Sequence, residues 1–412
     1  MLNVLNVYEN EEVALKADAI AVAIDIKKQN PDLPFVVIGD RLKFESYTIG
    51  SIRILDNIIN IQPRNKVFTL SVLFEMILFN NNISNSVVDT SGYEYDQNTG
   101  LNIFPKYFYN SCKKLVDFGL TGALVTKQEH SDIIKGDIVF EKFIKQLIPV
   151  SGINYTGKFY TLDVPTNQII KSALLKMVYS GQLSNQERVQ YDILLKNFDG
   201  VSVFDGDVNC FCGANSFWSC NPYYDSALQI SLTILKNMKL SFSAGAVRWY
   251  SFLHNSNALF ETYIRKLVKS IITDIRVEKW DKPKQYASVV YGEKTGRKGY
   301  SPDILIGFDK MTETAKIVLD VKNKKYDPIN GNVSDLVEPA DMYQLMFYCR
   351  KLKTDLGGLV YPCDTDIDVA EIILNDDGDK RVVLLPVNML SSFADRVSKL
   401  KKDLFKYLLK YS

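Results

Sequence analysis

The chain has 412 residues, 46% of them hydrophobic and 24% charged, ordinary globular proportions that exclude a mainly disordered, collagenous or coiled-coil protein and leave room for two or three domains. Its 49 Lys and Arg against 48 Asp and Glu give a formal charge of +1, so no global positive field is available to hold a polyanion; nucleic acid would need a local patch or a partner. Six cysteines without a framework of short spacings suit a reducing compartment, which makes the cytoplasm the expected location.

Met1-Leu2-Asn3-Val4 lacks the basic start and small-residue cleavage site of a signal peptide. No apolar run approaches the roughly 18 residues of a membrane span, and even Ala19 to Ile26 is closed by Lys27-Lys28-Gln29. The first stretch, 1–148, reads as an α+β region. Phe35 to Asp40 and Gly50 to Leu55 have the character of strands, Thr69 to Asn80 has the apolar spacing of a buried helix, and Tyr93 to Gly100 turns polar as a loop or projecting hairpin. The second stretch, 149–246, is predicted to be mostly helical, with helices over Asn167 to Val178 and Asp225 to Met238 and a long irregular connection from Asp199 to Pro222. The third, 247–412, opens with a helix near Asn255 to Thr273, then a basic polar loop, two strands and a helix from Pro339. Further strands follow at Gly357 to Tyr361 and Arg381 to Leu385, and a charged helix ends the sequence.

This third stretch carries the chemistry. Ser301-Pro302-Asp303-Ile304-Leu305-Ile306-Gly307 reads as a strand entered through a proline, and Ile317 to Lys322 as its partner. Alternation puts Asp320 and Lys322 on one face, with Leu319 and Val321 on the other. A polar pair inside an apolar strand costs free energy unless it is paired or functional. If the strands form a hairpin, Asp303 and Asp320 converge on one divalent cation and Lys322 stands beside it, a geometry suited to hydrolysing a phosphodiester. Upstream, Glu261 lies on the apolar side of its helix, close in angle to Ile264 and Val268. Downstream, Gln344 and Tyr348 are four residues apart on one helical face.

Glu261, Pro302-Asp303, Asp320-Val321-Lys322 and Gln344-x-x-x-Tyr348 resemble the PD-(D/E)xK nuclease superfamily with a QxxxY helix. The likeness extends to the McrC family, the nuclease subunit of McrBC-type modification-dependent restriction systems. It is carried by Asn257 to Glu261, Asp341-Met342-Tyr343-Gln344-Leu345, the stretch Leu162 to Lys171, and Lys135-Gly136-Asp137-Ile138. Asn323 departs from the aromatic residue that the family often has after its D-x-K, and alternation predicts that it faces away from Asp320 and Lys322.

The resemblance implies an α/β restriction-endonuclease-like domain with a mixed central sheet flanked by helices, following an α+β partner-docking region. It implies Mg²⁺, with Mn²⁺ as substitute, held by Asp303, Asp320, Glu261 and Val321. It also implies double-stranded DNA, modified or site-specific, as substrate, and a separate McrB-type AAA+ GTPase hexamer as partner. The chain itself has no G-x-x-x-x-G-K-(S/T) motif; Gly292 to Gly299 lacks its ending and its preceding strand. A standalone or helicase-linked nuclease and a non-cleaving GTPase-activating scaffold are the alternatives. Other clusters have bland readings. Lys279, Lys282, Lys284, Lys294, Arg297 and Lys298, interleaved with Trp280, Tyr286, Tyr291 and Tyr300, form either a DNA-tracking loop or a solvated face. Cys210, Cys212 and Cys220 lack a nearby fourth ligand, which favours plain thiols over zinc, and His254 reads as structural.

Overall fold

The computed structural model describes residues 3–81, 103–145, 152–180, 183–208, 211, 221–243, 246–291, 294–324, 326, 328, 336–374 and 381–411. Contacts divide the chain into two compact units. One joins Met1–Ser51, Asn57–Gly92 and Leu253–Ser412; the other is Ile52–Asp56 with Tyr93–Phe252. This grouping interleaves the chain and cuts it differently from the linear division at 148 and 246. The expected excursion Tyr93 to Gly100 and the cysteines Cys210, Cys212 and Cys220 lie outside the described residues.

The first unit begins with β1 (Asn3–Tyr8), β2 (Glu12–Ala14), α1 (Ala17–Gln29), β3 (Phe35–Ile38), β4 (Arg41–Phe44), β5 (Thr48–Ile54), β6 (Asn57–Gln62) and α2 (Leu70–Asn80). In α1 the buried side chains Ala19, Ile20, Val22, Ala23 and Ile26 follow helical spacing. The Thr69 hydroxyl accepts from the Val72 N–H at 3.4 Å and caps α2. β1 runs parallel to β6, from Asn3 opposite Asn57 to Tyr8 opposite Gln62.

The second unit contains α3 (Ile103–Phe118), β7 (Ala123–Ser131), β8 (Gly136–Ile138), α4 (Phe140–Lys145), β9 (Ile153–Thr161), α5 (Pro165–Ser180), α6 (Asn185–Leu195), α7 (Tyr223–Asn237) and β10 (Met238–Ser243). β11 (Ala246–Asn255) pairs antiparallel with β10. β9 pairs with both β7 and β8. A Cβ on Gly136 would meet the Thr156 carbonyl oxygen at 2.1 Å, so the close approach of β8 to β9 requires glycine.

The family-like stretch from Leu162 to Lys171 is a clasp at the start of α5. Asn167, fully buried, donates to the Leu162 and Thr121 carbonyls at 2.8 and 3.1 Å and accepts from the Tyr224 hydroxyl at 2.6 Å. Asp163 accepts from Gln168 and from Ser202, and the first-named of these bonds does most to hold its carboxyl below the ordinary range. Lys171 donates to the Val201 carbonyl at 2.6 Å.

The first unit resumes with α8 (Ser256–Ile271), β12 (Val277–Glu278), β13 (Lys284–Tyr291), β14 (Lys294–Tyr300), β15 (Ile304–Ile306), β16 (Ile317–Val321), α9 (Pro339–Leu352), β17 (Leu356–Cys363), β18 (Ala370–Ile373), β19 (Arg381–Asn388) and α10 (Phe393–Tyr411). Six of these strands form a mixed sheet in the order β12-β15-β16-β17-β19-β18. Its central pairs β16·β17 and β17·β19 are parallel, and its outer pairs are antiparallel. β15, β16 and β17 are buried at every position, as expected of strands covered on both faces. Leu345, Tyr348, Cys349 and Leu352 of α9 pack on Leu305, Val318, Leu359 and Leu384, while α8 packs against β12 and β16, and α10 against β19.

Arg396 of α10, 3% exposed, binds this unit together. It donates through Nη1 to Glu75 of α2 and Tyr263 of α8, both at 2.5 Å. Nη2 reaches the Met389 and Ser391 carbonyls at 2.7 and 2.8 Å, and Nε the Asn388 carbonyl at 2.9 Å. The predicted basic loop is instead the antiparallel ribbon β13·β14. Alternation there is blurred by glycines and by a register shift between Gln285 and Ala287, which hid the strands.

Candidate active site

The site is built at one corner of the mixed sheet. Pro302 delivers the chain into β15, and the antiparallel register pairs Ile304 with Leu319 and Ile306 with Ile317. One more step along that register sets Asp303 opposite Asp320. Asp303 Oδ2 accepts from the Val321 N–H at 2.9 Å, which ties the turn before β15 to the end of β16. Asp320 is 2% exposed, and its Oδ2 lies 2.6 Å from Lys322 Nζ. Alternation along β16 thus brings the strand acid and the lysine together as the spacing predicts.

Lys322 is a junction. Its ammonium pairs with Asp320 and, at 3.2 Å, with Asp341 at the start of α9, and it donates to Gln344 Oε1 at 2.9 Å. Gln344 Nε2 in turn donates to the Tyr348 hydroxyl at 2.7 Å. Burial pulls the Lys322 ammonium down, but Asp320 and Asp341 outweigh it and leave its pKa above the ordinary lysine value. Burial does the most to raise the Tyr348 phenol, and the Gln344 bond opposes it.

Glu261 enters from α8, at the margin of the buried face formed by Phe260, Ile264, Leu267 and Val268. Its carboxylate pairs with Arg265 at 2.8 Å and with Lys279, and Lys279 also lies 3.7 Å from Asp303. Lys279 therefore links Glu261 to Asp303, and Lys322 links Asp320 to Asp341. Burial, then Asp320, then Glu261 push the Asp303 carboxyl up to about 8; concentrated negative charge in a dry corner disfavours ionisation.

Such a corner suits a divalent cation, whose charge would restore the Asp303 carboxylate. Among the described residues, no three His, Cys, Asp or Glu side chains stand at metal-holding spacing, and the Glu261 carboxylate is paired with Lys279 and Arg265. Asp303 and Asp320 could hold a cation of the kind that needs only one or two carboxylates and keeps several waters.

Two members of the site, Lys279 and Asp341, escaped sequence reasoning. Lys279 was one of six basic residues in a run, and nothing local marks it as the one that folds back onto Glu261. Asp341 is buried and takes both Lys322 and Lys324, the latter at 2.8 Å; its spacing of three from Gln344 on one helix was the available signal. Asn323 was expected to continue a strand. β16 ends at Val321, and Asn323 instead donates to the Ser256 hydroxyl at 3.3 Å and accepts from Asn65 at 3.4 Å. Burial lowers the His254 imidazole to about 4, which keeps it neutral near pH 7.

Fold and site together define a mixed α/β protein with an acidic, lysine-bearing centre at the ends of β15 and β16 in its main sheet. The chain belongs to the McrBC 5-methylcytosine restriction system component family, whose profile matches residues 42–362. Its fold is similar, with a TM-score of 0.64 at 15% identity, to a chain in a refined half-complex from a tetradecameric assembly of Thermococcus gammatolerans McrB AAA+ hexamers with bound McrC; the match covers 98% of this chain and 100% of that one. A chain of the Thermococcus gammatolerans McrBC complex matches at a TM-score of 0.49 and 15% identity, over 66% of this chain and 89% of the other. No curated protein sequence matches. No helix of the described residues is long and apolar enough to cross a membrane.

Proposed function

We propose that this chain is the DNA-cutting subunit of a GTP-dependent, McrBC-type restriction complex, with a PD-(D/E)xK active site and Mg²⁺ as cofactor. The observation that carries the reading is the meeting of Asp303, Asp320 and Lys322 at one sheet corner in a chain of the McrBC family. Bound Mg²⁺ would polarise a phosphoryl oxygen and acidify water, and Mn²⁺ would substitute. Asp303 and Asp320 would hold the ion, with Val321 beside them and Glu261 supporting from α8. Lys322 would orient the attacking water and offset charge gathering on phosphorus. Gln344 fixes the Lys322 ammonium, and Tyr348 fixes Gln344.

The partner in this reading is an McrB-type AAA+ GTPase hexamer, supported by the likeness in fold to a chain from an assembly of McrB hexamers with bound McrC. The substrate is double-stranded DNA, and the complex works in the cytoplasm. The test is plasmid cleavage with Mg²⁺ and GTP, comparing wild type with Asp320→Ala, each with and without the GTPase. Cutting that needs the partner and disappears in the variant is expected. Metal-dependent cutting by Asp320→Ala would refute the site, and cutting by wild type alone would favour an autonomous nuclease. Stimulated GTP hydrolysis without any cutting would favour the scaffold.

A further inference from the structure

The β13·β14 ribbon is an arm with little packed against it. Every residue of β13 and β14 is exposed except Lys284, Ala287 and Tyr300. Val290 is 68% exposed and Tyr291 84%. A two-stranded ribbon alone is marginal in water, so this one depends on its root. There Tyr286 and Tyr300 meet Phe347 of α9 at ring-centroid distances of 4.9 and 5.6 Å, Tyr300 lies 6.0 Å from Tyr348, and Trp280 lies 5.4 Å from Tyr300. The helix that seats the root is the one that carries Gln344. The chain enters the ribbon five residues after Lys279 and leaves it three residues before Asp303, so both ends of the arm lie close in sequence to residues of the candidate active site.

The arm is net positive, with four basic residues in its strands against Glu293 in the connection between them. β13 and β14 contain Lys284, Lys294, Arg297 and Lys298 and no acidic residue, against a whole-chain charge of +1. The register sets Tyr291 opposite Lys294, Val289 opposite Gly296 and Ala287 opposite Lys298. Alternation therefore places Tyr291, Lys294 and Lys298 on one face, with Gly296 between the lysines, and Arg297 on the other. A Cβ at Gly296 would touch nothing, so the space between the two ammoniums is open. Four residues of strand separate the lysines by about 13 Å, far enough to reach separate phosphates. The major groove, about 12 Å wide, admits a two-stranded ribbon.

We propose that this ribbon is the arm that holds double-stranded DNA against the active site, with Lys294, Arg297 and Lys298 on phosphates and Tyr291 at the groove. The proposal rests on the nuclease reading, which supplies the substrate, and adds the element that grips it. Exposed Val289, Val290 and Tyr291 suit the sugar and base edges that such an arm meets between phosphates. Lys284 stays at the root, paired with Glu313 at 2.8 Å, and is left out of the grip.

The test uses the full-length chain in EDTA with a fluorescein-labelled duplex of about 30 base pairs, titrated by anisotropy between about 25 and 200 mM salt. The comparison is between wild type, a triple variant Lys294→Ser, Arg297→Ser, Lys298→Ser, and a charge-keeping variant Lys294→Arg, Lys298→Arg. Loss of three phosphate contacts should weaken binding by roughly a hundredfold near 0.1 M salt and flatten the slope of log K against log salt by about 2.7, or 0.9 per contact. The charge-keeping variant should bind as wild type does. Equal affinity and slope in wild type and the triple variant would overturn the arm and leave the nuclease reading standing. A wild type that binds no duplex would overturn the arm, while the nuclease reading stands or falls on the cleavage assay with the GTPase. A triple variant that keeps DNA but no longer binds the GTPase would reassign the ribbon to the partner.

Discussion

Replacing Asp303 by Asn isolates the electrostatics of the site. The amide oxygen still accepts from the Val321 N–H, which now meets Asp303 Oδ2 at 2.9 Å, so the turn into β15 is kept. What disappears is a carboxyl that burial, Asp320 and Glu261 hold up to about 8. A carboxyl raised in the folded state binds a proton there that the unfolded chain, with an ordinary value near 4, has already released. Stability therefore falls as pH rises from about 4 to about 8 and levels off above that, by at most about 1.4 kcal/mol per pH unit. Between pH 6 and pH 8 the loss is about 1–2 kcal/mol once Lys279, 3.7 Å from the carboxyl, and entering water have offset part of it. Thermal unfolding in EDTA at the two pH values should show wild type losing roughly 2–4 °C more than Asp303→Asn. At pH 7, Mg²⁺ binding to wild type should release close to one proton, read by calorimetry in two buffers of different ionisation enthalpy, and binding to the variant none. Parallel pH profiles and no proton release from wild type would refute the reasoning.

Two further perturbations probe the supports of the site. Arg396→Met keeps length and removes all donors, stranding Glu75, Tyr263 and three carbonyls; we expect a loss of about 3–5 kcal/mol in urea unfolding, and a loss below about 1 kcal/mol would show that the buried network contributes little. Gln344→Leu frees the Lys322 ammonium from one of its three partners. Turnover of the partner-loaded complex should fall about 10–100-fold while Mg²⁺ affinity and melting temperature hold, and unchanged turnover would remove Gln344 from the positioning chain.

The sequence was most legible where one period governed a whole element. Helices α2, α5, α7 and α8 follow apolar spacing, and Asp303, Asp320 and Lys322 follow from a two-residue alternation combined with a hairpin. Elements with mixed signals were missed. β9 carries Gly157 and a run of polar residues, and β14 reads Lys-Thr-Gly-Arg-Lys-Gly-Tyr, so glycine and charge mask the alternation of an exposed ribbon. Contacts set by tertiary folding were not legible at all. Nothing near Lys279 announces Glu261, and nothing near Asn323 announces Asn65 or Ser256. For the same reason the union of Met1–Ser51 and Asn57–Gly92 with Leu253–Ser412 into one unit left no local mark.

The bond between Arg396 and Glu75 spans 321 positions of sequence, which sets a timetable for synthesis. At about 5–20 residues per second, the ribosome needs roughly 16–64 s after making Glu75 before it reaches Arg396. Through that interval the apolar face of α2, with Leu73, Met76 and Ile77 destined for burial, waits for α8 and α10. The inserted unit, whose segments are nearer in sequence, is complete on the ribosome first. The middle of the nascent chain is therefore fully synthesised before the last partner of α2 exists, and α2, unlike α1 with its neighbour β3, waits longest for its cover.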